Sequence, residues 1–316
     1  MVQKVKLGRT DLLVNPIGIG ANKFQQQDVS TNTEYGGDVL LAAINAGLDF
    51  IDTAFIYGNG VSETIIGDTL KKHNLRQQVV IATKGAHDLS SGEMKINNHP
   101  NFLRQQVEDS LRRLQTDYLD LYYIHFPDES TPKDEAVGTL LRLKEEGKIR
   151  AIGASNFSLE QLKEGNKDNG IDVVQDEYNL INRTAETEFF PYFKEAEIAF
   201  IPYFPLASGL LAGKYSTDTI LNENQKRKEH FQAGYYETIL EKVNQIKPLA
   251  EKHHTGLQNV VLAYYLMQEE VAALIPGARN RQQVLENMET LEVRLDAEDV
   301  QLIESAFPHN YHFKLN

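Results

Sequence analysis

Four polar residues of different chemistry stand where short apolar runs end. Asp52 follows LDFI (48–51), Lys84 follows VVIAT (79–83), His125 follows YLDLYYI (118–124), and Tyr57 lies five residues beyond Asp52 in DTAFIYG (52–58). Together a phenol, an ammonium, a carboxylate and an imidazole make a proton-transfer set. A free tyrosine titrates near ~10, too high for efficient transfer at neutral pH. A neighbouring ammonium favours phenolate and makes the phenol a better acid. A carboxylate beside the lysine holds the ammonium in place, and a neutral histidine can donate to charge developing on a substrate oxygen. Taken singly, each residue has an ordinary structural use: Asp52 as a turn cap, Tyr57 as packing, Lys84 as surface, His125 as a satisfied buried imidazole. Their common position at strand ends is what argues for a site.

The elements that must position them follow a regular alternation. Strand-like runs occur at 14–20 (VNPIGIG), 48–54, 79–84, 118–125, 149–156 (IRAIGASN), 173–179 (VVQDEYN), 199–205 (AFIPYFP) and 272–278 (AALIPGA). Continuous apolar runs of this kind suit strands of a parallel sheet buried on both faces. Between them lie helical stripes, with Leu103, Val107, Leu111 and Leu114 at spacings of three and four. Leu40, Ala43 and Ile44 precede Gly47, and Val137, Leu140, Leu141 and Lys144 precede Gly147, each glycine a helix stop. Ser158 with Gln161 reads as a capping box.

Eight such alternations without a Pro/Gly/Ser-rich linker predict one α/β domain over 1–316, a single (β/α)8 TIM barrel. VQKVKL and DLLVN flank Gly8-Arg9-Thr10 as an N-terminal β-hairpin closing the floor, and 85–100 and 214–233 read as inserted loops at the C-terminal face. An open doubly wound sheet is the alternative architecture. Its dinucleotide fingerprint fails here, because Lys23 stands where a third glycine should follow Gly18 and Gly20. GLLAGKY (209–215) is not a P-loop either: three residues rather than four separate its glycines, and Tyr215 replaces Ser/Thr.

Composition narrows the partners. A formal charge of −13, from 32 basic and 45 acidic residues, argues against nucleic acid or an anionic membrane as partner. The longest apolar runs fall far short of the ~20 residues of a membrane span, and MVQKVKLGRTDLLV has no signal-like apolar core, so a cytoplasmic location is expected. Cysteine is absent, which excludes disulfides and thiol chemistry. No HExxH, EF-hand loop or Cys/His cluster occurs, and no metal is expected.

LDFIDTAFIYGNGVSE, the lysine of VVIATK and the histidine of DYLDLYYIHFPD resemble, in order and spacing, the signature blocks of the aldo-keto reductase superfamily. The resemblance runs from LGRTDLLVNPIGIG to IPGARNRQQVLENM, nearly the whole chain. IHFPDESTPKDEAV, GASNFSLEQL and FIPYFPLASGLLAGKY are similar to the bacterial inositol-operon reductases, the IolS-type group. The superfamily's catalytic tetrad falls on Asp52, Tyr57, Lys84 and His125. The resemblance implies an NADP-dependent oxidoreductase that moves hydride between nicotinamide and an aldehyde, ketone or alcohol, with Tyr57 as acid or base.

The same resemblance implies the cofactor contacts. Ser155, Asn156 and Gln175 match ligands of the nicotinamide carboxamide, and Tyr203 the aromatic stacked on its ring. Leu206, Ser208, Gly209, Leu210 and Lys214 match the pyrophosphate loop, with 214–233 as a belt over it. Gly20, Asn22 and Asp52 flank the cofactor, and Gly277, Arg279, Gln283, Glu286 and Asn287 match its adenosine end. Many relatives carry lysine where Gly277 stands, so Arg279 is the expected grip on a 2′-phosphate. Otherwise Arg279 is a surface residue and NAD is accepted too. Phe24, Phe55, Phe126 and Tyr178 are expected to wall an apolar substrate pocket. Two rivals stand beside the reductase. One is a nicotinamide-binding regulatory subunit, as in potassium-channel β-subunits that resemble this fold. The other is a barrel isomerase or aldolase with Lys84 as a Schiff base.

Overall fold

In the computed structural model, which describes residues 2–26, 28 and 34–309, seven of the apolar runs are parallel strands that pair in chain order. They are β1 (Ile19–Gly20), β2 (Phe50–Asp52), β3 (Val80–Gly85), β4 (Leu119–Ile124), β5 (Ile149–Ser155), β6 (Val173–Gln175) and β7 (Ala199–Phe200). The eighth run, 272–278, closes the ring together with Val271 just before it. Val271 bridges Phe200 of β7, while Leu274 and Gly277 bridge Ile17 and Gly20 beside and within β1, all in parallel. This seam is made of isolated bridges rather than a full ladder. Pro276 has no amide hydrogen, so the run cannot donate at that position. The result is the expected (β/α)8 barrel.

Both faces of the strands are buried, which is why they read as continuous apolar runs. Phe50, Ala82, Leu121, Tyr123, Ala151 and Val173 point into the barrel. Ile51, Ile81, Tyr122 and Ile152 point out against the helices. The helix spanning Pro100–Leu114 buries Leu103, Val107, Leu111 and Leu114 as their spacing predicts. Gly47 and Gly147 terminate their helices at φ 93° and 75°, and the Ser158–Gln161 capping box is formed. No helix among the described residues is long and apolar enough to cross a membrane.

The N-terminal hairpin, Val5–Lys6 against Leu13–Val14, inserts Leu7, Leu12 and Val14 into the barrel floor. Arg9 fastens its turn by donating to the carbonyls of Asn169 (2.9 Å) and Ile171 (2.8 Å). Gly8, at φ 54°, lies so close to the floor that a Cβ would sit 2.5 Å from the Asp172 carbonyl oxygen. Three buried aspartates at this end each cap a backbone amide of the preceding strand or its approach. Asp49 accepts from Asn15 (2.7 Å), Asp120 from Ile81 (3.0 Å) and Asp172 from Ile152 (3.0 Å). Each also meets cations from outside: Lys4, Arg76 with Arg150, and Lys144.

At the opposite end the two inserts have structure of their own. Residues 85–100 carry a small hairpin, His87–Asp88 paired with Lys95–Ile96. Residues 214–233 carry a short helix, Glu223–Lys226, and a 3-10 turn, Glu229–Phe231. The tail 310–316 lies outside the described residues.

Candidate active site

Strands β2, β3 and β4 are neighbours, in a register that sets Asp52 beside Ala82 and Lys84 beside Tyr123. The side chains of Asp52, Lys84 and His125 therefore meet at one sector of the barrel mouth. Lys84 Nζ donates to Asp52 Oδ1 at 2.5 Å and to the Thr53 carbonyl oxygen at 2.9 Å. From across the barrel, Gln175 Nε2 donates to Asp52 Oδ2 at 3.0 Å. Lys84 is 0% and Asp52 2% exposed, so this is a wholly buried ion pair with its lone pairs met. The ammonium also lies 5.5 Å from the Tyr57 ring centre and 5.4 Å from that of Tyr123.

Tyr57 shows two opposed influences. Burial raises its pKa above the ordinary value, while Lys84 pulls it down by charge and hydrogen bonding, and Asp52 adds a smaller upward push. The acidifying effect of the lysine is present, but the net shift is upward. Desolvation of the phenolate outweighs one ammonium that already serves a carboxylate.

His125 is 9% exposed, and its Nδ1 is buried without a hydrogen-bond partner. Burial, then the nearby charge of Lys84 and then His87, depress its pKa to about 2. It is a neutral imidazole at working pH, able to donate one N–H. His87, which sequence reasoning overlooked, packs edge-on against it with ring centres 4.9 Å apart. A lone histidine three residues past a strand-end lysine carries no periodic signal, and only the 85–100 hairpin brings it here. Of the four expected aromatic walls only Phe126 lines the cleft, at 37% exposure. Phe24 is buried against Gly36, Phe55 lies under the Arg113 guanidinium, and Tyr178 is in the core, donating to Glu186.

The segment GNGVSE supports the site from below. Ser62 Oγ donates to the Ala21 carbonyl oxygen beyond β1 (2.9 Å) and pairs with Thr53 Oγ1 beyond β2 (2.8 Å). Glu63, fully buried, accepts from Thr83 of β3 at 2.6 Å and from Arg113 at 2.5 Å. Two adjacent residues thus tie three strands to each other and to the next helix.

A cleft of about 820 Å³ runs from Tyr57 and His125 across the mouth to Arg279. At its inner end Asn156, at φ 63°, donates to Ser155 Oγ and to the His125 carbonyl oxygen, both at 3.0 Å. Tyr203 donates to Asn156 Oδ1 at 2.8 Å. Asp52, Asn156, Gln175 and Tyr203 line the cleft, with Ser155 buried beneath them. Midway, Phe204, Ala207, Ser208 and Gly209 all take positive φ and form a tight concave turn. Leu206, Ser208 and Gly209 line the cleft there. Leu210 turns into the core, and Lys214 is exposed outside the lining. The cation that stands in this part is Lys228 of the second insert, whose Nζ donates to Ser208 Oγ at 2.6 Å.

At the outer end Gly20, Asn22, Gly277, Arg279, Gln283 and Asn287 line the cleft, while Glu286 lies beside it and accepts from Gln282. A Cβ on Gly277 would meet nothing closer than Asn22 Oδ1 at 3.6 Å, so this part of the groove is open. The Arg279 guanidinium makes no hydrogen bond or ion pair among the described residues, and its charge is felt at Tyr215 of the same cleft. Volume, shape and donor set fit an extended dinucleotide, with side-chain amides at one end, a glycine-lined turn with a lysine in the middle and the Arg279 guanidinium at the other. Among the described residues no group of three or more histidines, aspartates and glutamates is placed to hold a metal.

Comparison with known proteins agrees with this architecture. An NADH-specific methylglyoxal reductase of Escherichia coli (strain K12) is 31% identical over 96% of this chain and 97% of its own. A "Probable voltage-gated potassium channel subunit beta" of Oryza sativa subsp. japonica is 32% identical over 92% of each. The solved glycerol dehydrogenase AKR11B4 from Gluconobacter oxydans superposes with a TM-score of 0.88 at 28% identity, covering 99% of this chain and 98% of that one. The model of the aldo/keto reductase family matches residues 16–307, and the chain belongs to that family, whose members are oxidoreductases using nicotinamide cofactors.

Proposed function

We propose that residues 1–316 form one barrel domain that works in the cytoplasm as an NADP-dependent reductase of aldehydes and ketones, running in reverse on alcohols. The observation that carries this is the buried Lys84–Asp52 pair beside Tyr57 and a neutral His125, opening onto a cleft of about 820 Å³. When bound, the nicotinamide supplies or accepts the hydride. The chain's own residues do the rest. Asn156, braced by Tyr203 and Ser155, and Gln175, braced by Asp52, offer amides to a carboxamide. Tyr203 offers its ring as a stacking face. Tyr57 gives its proton to the carbonyl oxygen in reduction and takes one from an alcohol in oxidation. Lys84, held by Asp52, offsets charge on the resulting phenolate, and His125 donates to the substrate oxygen.

Arg279 supports NADP over NAD, since guanidinium pairs well with phosphate oxygens and this one lines the cleft without a hydrogen bond or ion pair among the described residues. One relative is an NADH-specific methylglyoxal reductase, so the two cofactors are compared directly in the test below. Within the family, the segments following His125, Gly153 and Phe200 support kinship with the inositol-operon group. Likeness to a channel β-subunit keeps a sensor role in view, but a complete set of proton-transfer groups favours turnover.

The test is oxidation of NADPH and of NADH with 4-nitrobenzaldehyde and methylglyoxal. Steady turnover with NADPH, well above that with NADH, is expected. Tight nicotinamide binding without turnover of any carbonyl supports the sensor instead, and equal efficiency with both cofactors removes the role given to Arg279.

A further inference from the structure

The mouth of the barrel holds one more hydrogen-bonding group than a simple carbonyl uses. A carbonyl oxygen offers two lone pairs, which Tyr57 and His125 suffice to fill. His87 is a third group, 5% exposed and lining the same cleft. It is edge-on to His125 at 4.9 Å and to Phe126 at 5.6 Å.

The hydrogen-bond inventory says what His87 offers. Its Nδ1, like that of His125, is buried without a partner, and among the described residues no hydrogen bond is made at its other ring nitrogen. A buried orphan N–H costs more than a buried orphan acceptor. The favoured tautomer therefore leaves Nδ1 bare and carries the proton on Nε2, the nitrogen that the cleft can reach. Burial lowers the pKa of the ring, which agrees with a neutral donor. Its ring contacts are edge-on to two aromatic rings, His125 and Phe126, a packing that phenylalanine can also make. An unsatisfied polar ring in an otherwise aromatic corner points to a ligand atom.

We propose that His87 is a specificity residue that donates to a second oxygen on the carbon next to the reacting carbonyl, so that the site selects α-hydroxy and α-oxo carbonyl compounds over simple ones. This rests on the reductase reading above and names its substrate class. The chemistry is unchanged. Hydride adds to the carbonyl carbon, the C=O π pair moves to oxygen, and that oxygen takes the proton of Tyr57, while the neighbouring oxygen is only hydrogen-bonded. A site built to bond a hydroxyl discriminates against the analogue lacking it, because its own polar group is then left unmet.

Hydroxyacetone and butanone make the test, since they differ by a hydroxyl in place of a methyl group. In the full chain with NADPH, the kcat/KM ratio should favour hydroxyacetone by about tenfold or more. H87F, which keeps the aromatic packing, should lower that ratio about tenfold while butanone reduction and NADPH binding stay within about threefold. H87Q, which keeps an N–H donor, should retain most of the preference and guards against misreading a folding defect. An active enzyme whose ratio is the same before and after H87F overturns the role of His87 and leaves the reductase intact. Wild-type protein inert with hydroxyacetone, butanone and methylglyoxal alike overturns both.

Discussion

The two ends of the barrel use the same charged side chains in opposite ways. At the floor, Asp49, Asp120 and Asp172 are buried, yet each caps a strand amide and meets a lysine or arginine that reaches in from solvent. At the mouth, Asp52 meets a lysine that is itself wholly buried, and among the described residues the groups around the pair keep unused capacity: two imidazoles whose Nδ1 atoms lack a partner, a guanidinium without a hydrogen bond and a half-buried phenol. The floor satisfies its polar groups internally and holds the ring together. The mouth leaves them facing the cleft. In barrels of this kind chemistry sits at the C-terminal face and stability at the other, and here the hydrogen-bond inventory alone tells one end from the other.

The largest expected effect lies at the mouth. Tyr57→Phe should lower carbonyl reduction by roughly 10²–10⁴-fold while nicotinamide fluorescence titration still shows binding. Near-wild-type turnover would break the contrast at its centre. Lys84→Met strands the Asp52 carboxylate in the interior and should cost about 3–5 kcal/mol in urea unfolding as well as activity. Its floor counterpart, Lys4→Ala, removes a partner that is 56% exposed and should cost below about 1 kcal/mol with kcat unchanged. Equal losses from the two would erase the distinction.

Acid sharpens it. The pKa of His125 is about 2 in the folded chain, against ~6.5 when unfolded. Below the unfolded value the denatured chain binds a proton that the native one refuses, so this group's contribution falls as pH drops from about 6.5 toward 2. Between pH 7 and 5 it should cost roughly 2 kcal/mol, and His125→Gln should flatten that part of the profile in urea titrations. Carbonyl reduction should show no loss from imidazole protonation in the same interval. In the alkaline range the raised phenol pKa should carry reduction to higher pH than a free tyrosine would allow. A reduction limb falling below the ordinary tyrosine value would contradict that direction.

Much of this arrangement was legible in the chain itself, because burial on both faces writes strands as apolar runs and puts the polar residue that follows at the mouth. Asp52, Lys84 and His125 were found that way. The eighth strand was readable as a run but not as a set of bridges, since its pairing depends on where Pro276 falls between Gly18 and Gly20 of the first run. His87 and Lys228 escaped notice because inserted loops, not strands or helices, deliver them. Phe24, Phe55 and Tyr178 were misplaced for the complementary reason: nearness in sequence to a site does not fix the direction of a ring. The upward shift at Tyr57 was hidden as well, because desolvation belongs to the packed structure and the lysine to the sequence.

Where the first and last segments of the ring meet, 271–277 touches β1 through bridges interrupted by Pro276, and the groove beside Gly277 runs along that join. A molecule lodged there, with Asn22 on one bank and Asn287 on the other, would act as a clasp across a join made of isolated bridges. Occupancy and mechanical integrity are then one quantity. Amide hydrogens of Gly18, Gly20 and Leu274 should exchange more slowly whenever the groove is filled, and the empty chain should begin to open there.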